Sequence, residues 1–119
     1  MNDYKLGIME TRFACLIWDN APTPSGELVK LCDEAFGWKK STTYTMLRRL
    51  CDRGIFRNAD GVVSVLLAQE ELQAFQIEQF VQETFDGSLP KFLTAFVGRA
   101  KLSEGEIDTL QRLINKQKI

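Results

Sequence analysis

Between Lys39 and Arg57 the chain collects six cations, Lys39, Lys40, Arg48, Arg49, Arg53 and Arg57, against the single acid Asp52. Among them stand the hydroxyls of Ser41, Thr42, Tyr44 and Thr45. Lysine and arginine suit phosphate oxygens, while short hydroxyls and a phenol suit the donors and acceptors on base edges. The chemistry on offer is recognition of a nucleic acid. The plainer alternative is a solvated basic helix on a soluble domain. Any such binding has to be local, because 15 Lys and Arg meet 16 Asp and Glu over 119 residues, for a net charge of −1. Bulk charge therefore does not draw this protein to DNA or to lipid.

Catalytic chemistry finds little to work with. The chain has no histidine, which removes the commonest general base and most zinc sites. Its three cysteines, Cys15, Cys32 and Cys51, lie far apart in apolar stretches and read as buried free thiols rather than a disulfide framework or a metal cluster. The carboxylate pairs Asp33-Glu34 and Glu70-Glu71 fall on solvated helix faces, and no glycine-rich phosphate loop occurs. No enzyme activity, no metal and no cofactor are expected.

The elements that must hold the basic cluster follow from apolar spacing. Phe13, Leu16 and Ile17 mark a helix from Glu10 to about Asp19, ended by Asn20-Ala21-Pro22. Thr23-Pro24-Ser25 offers hydroxyl caps and a helix-initiating proline for a second helix to about Ala35, with Leu28, Leu31 and Cys32 on one side. Phe36-Gly37-Trp38 makes a turn. A third helix, Ser41 to about Arg53, puts Thr43, Met46, Leu47 and Leu50 on its core face. Ser41, Thr42, Tyr44, Thr45, Arg48 and Arg49 are left facing outward. Ile55-Phe56-Arg57, Asn58-Ala59-Asp60-Gly61 and Val62 to Leu66 then read as strand, turn and strand. Helix, helix, turn, helix and hairpin is the order of a winged helix–turn–helix, which assigns residues 1–67 to a DNA-binding domain.

Residues 68–119 are helical in pattern. Leu72, Phe75, Phe80 and Val81 mark one helix; Leu89, Phe92, Leu93, Phe96 and Val97 form the stripe of a second. Ser103 and Glu106 make a capping box that opens a third, in which Ile107, Leu110, Leu113 and Ile114 align. Five of the eight phenylalanines crowd into these roughly 50 residues, too short a segment to bury them alone. A second copy of the chain solves the problem, with Phe75, Phe80, Phe92, Leu93, Phe96, Leu110 and Leu113 as the dimerisation residues. The fold class is mainly α with a small β-hairpin: a winged helix–turn–helix plus C-terminal dimerisation helices.

At the level of motif the chain resembles the penicillinase-repressor family, the BlaI/MecI/CopY transcriptional regulators. Glu10 with Leu16-Ile17-Trp18, then Trp38, Thr42, Thr45-Met46-Leu47, Arg49-Leu50 and Gly54-Ile55 carry the first block. Phe92-Leu93, Phe96-Val97, Leu102-Ser103, Glu106-Ile107, Leu110 and Leu113 carry the second, so the likeness covers about residues 7–116. It implies a homodimeric repressor that binds an inverted-repeat operator in double-stranded DNA. By position, Ser41, Thr42, Tyr44 and Thr45 would meet bases, with Arg48 and Arg49 beside them, Lys39 and Lys40 near the backbone and Arg57 on the wing.

Three departures stand out. The β-lactam-responsive branch is cut at an Asn–Phe bond under a membrane sensor; the matching position is Ala95-Phe96, which implies a sensor-linked protease as partner but lacks the asparagine. The copper-responsive branch carries C-terminal cysteines, and this chain has none after Cys51. Family wings are commonly basic, whereas Gly61 to Leu67 is uncharged here and is expected to pack on the first helix. The uncharged wing also feeds the competing expectation, a winged-helix protein-interaction module that does not bind DNA. With no apolar run near the roughly 20 residues of a membrane span and no signal-peptide pattern, a cytoplasmic location without membrane contact is expected.

Overall fold

A computed structural model of the chain describes residues 4–118. Six helices and a three-stranded sheet follow in the order α1 (Ile8–Asn20), β1 (Thr23–Pro24), α2 (Ser25–Phe36), α3 (Lys40–Asp52), β2 (Phe56–Ala59), β3 (Val62–Val65), α4 (Gln69–Thr84), α5 (Leu89–Arg99) and α6 (Glu104–Asn115). The architecture is a mainly helical winged helix–turn–helix with helices after it. Two compact units divide it, one up to Gln79 and one from Phe80 on, so the division falls inside α4.

In the first unit α1, α2 and α3 close on a shared core because each presents one apolar stripe. Phe13, Ala14 and Ile17 come from α1, Leu28 and Cys32 from α2, Thr43, Leu47 and Leu50 from α3. Ile55, Phe56, Val63 and Leu72 complete it. Truncating a buried ring such as Phe13 to alanine in such a core costs about 3–5 kcal/mol. Leu16, Leu31 and Met46, expected in the stripes, are only half-buried, Leu16 and Met46 packing at the margin of that core. Trp38 packs its ring on Phe13 at 5.4 Å and on Phe36 at 4.9 Å, so the turn between α2 and α3 is a packed one.

The hairpin closes as Asp-Gly predicts. Asp60 and Gly61 have φ of 53° and 74°, a two-residue turn whose twist suits the strands, with Ala59 paired to Val62 and Phe56 to Val65. The sheet has a third strand that the sequence pattern misses: Thr23 pairs with Val63 and Pro24 with Val62, giving the order β1-β3-β2. Two residues carry no alternation, and a proline argues against a strand except at an edge, which is where Pro24 lies. The expected hydroxyl cap of α2 is not used either; Pro24 occupies the cap position without a side-chain bond.

Of the wing residues, Val63 is buried in the core whereas Val62, Val65 and Leu66 are exposed, so most of the uncharged strand faces solvent. The contacts of α1 with the hairpin come from Trp18, which lies 5.4 Å from Phe56 and whose Nε1 donates to the carbonyl of Leu67 at 3.1 Å.

In the second unit Ser88 caps α5 by accepting from Lys91 N–H at 3.2 Å. Ser103 and Glu106 form the predicted reciprocal capping box of α6, at 3.1 and 3.0 Å. Phe80, Phe85 and Phe92 meet edge to face, with centroids 5.6–6.0 Å apart. Beyond that cluster, α5 and α6 hold no buried residue.

Candidate nucleic-acid interface

Helix α3 begins without a side-chain cap: Lys39 is the cap residue, Lys40 the first helical one, and no acid lies in the first turn. Its leading N–H groups carry the positive end of the helix dipole, and the two exposed lysines add charge there. Ser41, Thr42, Thr45, Arg48 and Arg49 are exposed, as burial of Thr43, Leu47 and Leu50 on the other face requires. Ser41, Thr45 and Arg48 sit at i, i+4 and i+7, and so line one face.

Their side chains are not equally free. Thr45 Oγ1 donates to the Ser41 carbonyl at 2.9 Å, leaving its lone pairs and methyl group to solvent. Arg49 Nη1 rests on Met46 Sδ at 3.7 Å. Tyr44 differs from its neighbours: its ring is half-buried against the core and its hydroxyl donates to Ser25 Oγ at 3.1 Å. Arg57 is exposed on β2. Among the described residues Lys39, Lys40, Arg48, Arg49 and Arg57 make no ion pair.

Arg53, which charge alone groups with these cations, is turned away. Its Nη1 donates to the Lys5 carbonyl at 2.7 Å and lies 3.8 Å from Glu10 Oε2. A run of basic residues in sequence reports charge but not direction.

Under the surface, Thr43 Oγ1 is buried, and the only hydrogen-bonding contact it makes among the described residues is a weak one with the thiol of Cys32. Burial pushes the thiol of Cys32 up, an effect Thr43 beside it partly offsets. Burial first, then Asp52, raises the Cys51 thiol, against a lowering hydrogen bond from the Asn58 backbone. Cys32 is buried and Cys51 half-buried, both are free, and burial favours the protonated thiol in each.

Of the residues expected to pair two chains, Phe75 stacks on Tyr4 within the first unit, with centroids 4.9 Å apart. Phe80 and Phe92 belong to the ring cluster of the second unit, and Leu93, Phe96, Leu110 and Leu113 are exposed. Ala95 and Phe96 lie inside α5, both exposed, so the peptide bond between them is helical. No helix among the described residues is long and apolar enough to cross a membrane.

The sequence profile of the penicillinase repressor family matches residues 6–116. Methicillin resistance regulatory protein MecI of Staphylococcus aureus is 22% identical over 118 residues, covering 96% of each chain. The proteins of the same name from Mammaliicoccus sciuri and Staphylococcus epidermidis are each 21% identical over 118 residues, again across 96% of both chains.

Proposed function

The chain belongs to the penicillinase repressor family, and from that premise we propose that it is a homodimeric, sequence-specific repressor of an inverted-repeat operator. The observation that carries this reading is the exposed face of α3, where hydroxyls stand among cations that no acid neutralises. Residues 1–67 bind DNA and residues 68–119 join the two copies. Ser41, Thr42 and Thr45 meet base edges in the major groove, while the Tyr44 hydroxyl stays bonded to Ser25 behind them. Lys39, Lys40, Arg48, Arg49 and Arg57 hold phosphates, and the uncapped N-terminus of α3 adds its dipole to the lysines.

The pairing surface is the apolar face of α5 and α6. Phe96 and Leu113 are 52% and 53% exposed in a single chain, alongside Leu93 and Leu110. An apolar area of this kind is covered in a stable assembly. The dimer sets two α3 helices in successive major grooves, about 34–36 Å apart, and excludes polymerase by occupancy. No catalytic step is involved. A sensor-linked protease acting at Ala95-Phe96 has first to unwind α5, because proteolysis requires an extended segment and this bond is helical.

A protein-interaction module is the second reading, favoured by exposed Val62, Val65 and Leu66 on the wing. Retention on immobilised duplex DNA separates the two. The repressor is held at about 50 mM salt and released by about 200 mM, as phosphate contacts dictate; an interaction module passes through unretained.

A further inference from the structure

Tyr44 stands on the outward side of α3, yet its hydroxyl is committed to another element. Its Oη donates to Ser25 Oγ over 3.1 Å, while its ring is half-buried against the core. Ser25 is the first residue of α2, and its backbone N–H donates to the Gly61 carbonyl at 2.8 Å. Gly61 is the second residue of the turn that joins β2 to β3. The chain enters Ser25 directly from the pairing of Thr23 with Val63 and of Pro24 with Val62. One serine therefore holds α3 through its side chain and the wing turn through its main chain.

We propose that Ser25 and Tyr44 are positioning residues that fix α3 relative to the wing, and thereby set how strongly the protein prefers one DNA sequence over another. The proposal rests on the reading of α3 as the DNA-facing helix. Hydrogen bonds to base edges are short and directional, so a small rotation of α3 weakens them steeply. Phosphate contacts made by long lysine and arginine side chains follow such a rotation at little cost. Loosening the link therefore lowers preference, and leaves affinity for arbitrary DNA largely unchanged. In this role the phenol of Tyr44 acts through Ser25 and does not itself read a base.

The test uses the full chain and a duplex that it enriches from a random-sequence pool, with a scrambled duplex alongside. Tyr44→Phe removes only the donor, Ser25→Ala only the acceptor, and Ser25→Thr keeps the hydroxyl. Each of the first two is expected to lower the ratio of enriched to scrambled affinity by roughly three- to tenfold, the range of one neutral hydrogen bond. The double variant is expected to lose no more than either single one, Ser25→Thr to retain most of the ratio, and affinity for the scrambled duplex to stay constant. Amide exchange at Ser25 quickens in Tyr44→Phe as the shared anchor loosens. Additive losses would overturn the proposal, because the phenol then touches DNA itself. So would an unchanged ratio, or a fall in both affinities in step with thermal stability. If the protein enriches no duplex at all, the DNA-binding reading fails and the proposal goes with it.

Discussion

Arg53 and Lys5 are joined by a 2.7 Å hydrogen bond from the guanidinium to the main-chain carbonyl, which ties the C-terminal end of α3 to the segment before α1. Glu10 lies 3.8 Å from the same guanidinium. Arg49, four positions earlier on the chain, lacks such an anchor, and the two arginines are expected to respond differently to truncation. Arg53→Ala is expected to cost about 1–2 kcal/mol of stability, as the loss of a charge-assisted bond does at a partly exposed site. It leaves the salt dependence of DNA binding unaltered. Arg49→Ala does the reverse: stability holds within about 0.5 kcal/mol, while the slope of log affinity against log salt shrinks by about 0.9 per protomer. Thermal melts and titrations at several salt concentrations distinguish them.

Thr43 offers a stabilising substitution. Its hydroxyl is buried with only the Cys32 thiol, a weak partner, beside it, which leaves much of a desolvation cost of about 1–3 kcal/mol unrecovered. Thr43→Val keeps the shape and removes the poorly bonded oxygen, so it is expected to raise stability by about 1 kcal/mol. A melting temperature that falls by several degrees would mean that the bond to the Cys32 thiol outweighs the cost of burying the hydroxyl.

Glu106 sets a pH dependence in α6. Ser103 holds its carboxyl below the usual value of 4.5, through the Ser103 backbone N–H first and its hydroxyl second. The group is favoured as an anion in the folded chain. The stability it brings is therefore complete above about pH 4.5 and is lost as pH falls below that value through the folded pKa. Amide protection in the first turn of α6 is expected to drop over that window. Glu106→Gln, which keeps the reciprocal cap, removes the share of that pH dependence due to Glu106 and leaves Glu104 as the acid of the first turn.

The apolar face of the second unit makes the pairing claim measurable. Phe96→Asp with Leu113→Asp alters residues 52% and 53% exposed in the single chain, so the fold of one copy loses little. Sedimentation is expected to give a monomer with native helicity. A dimer that persists unchanged would place the pairing surface elsewhere.

What the sequence discloses depends on how local the cause is. The stripes of α1, α2 and α3 are legible because burial repeats with the helical period, and Asp60-Gly61 is legible because only certain residues tolerate that turn. The strand at Thr23–Pro24 is not, since its two residues pair only because β3 lies alongside. The outward cations of α3 follow from the same period as its core, whereas the engagement of Arg53 depends on Lys5, 48 positions away. Tyr44 shows the same limit. Helical phase puts it outside, and its bond to Ser25 across 19 positions is a tertiary fact. Phe75 reads as a residue that pairs two copies, and nothing local in the sequence signals its stacking on Tyr4.

The measurement that bears most directly on the central claim is an anisotropy titration of a palindromic promoter duplex at about 50 and 200 mM salt, with a scrambled duplex alongside. Two copies of Lys39, Lys40, Arg48, Arg49 and Arg57 meeting phosphates predict tight binding that favours the palindrome and weakens by about a thousandfold or more between the two salt concentrations. A confirmed dimer that binds neither duplex at 50 mM would contradict the account, and would leave the winged helix as a surface for protein rather than for DNA.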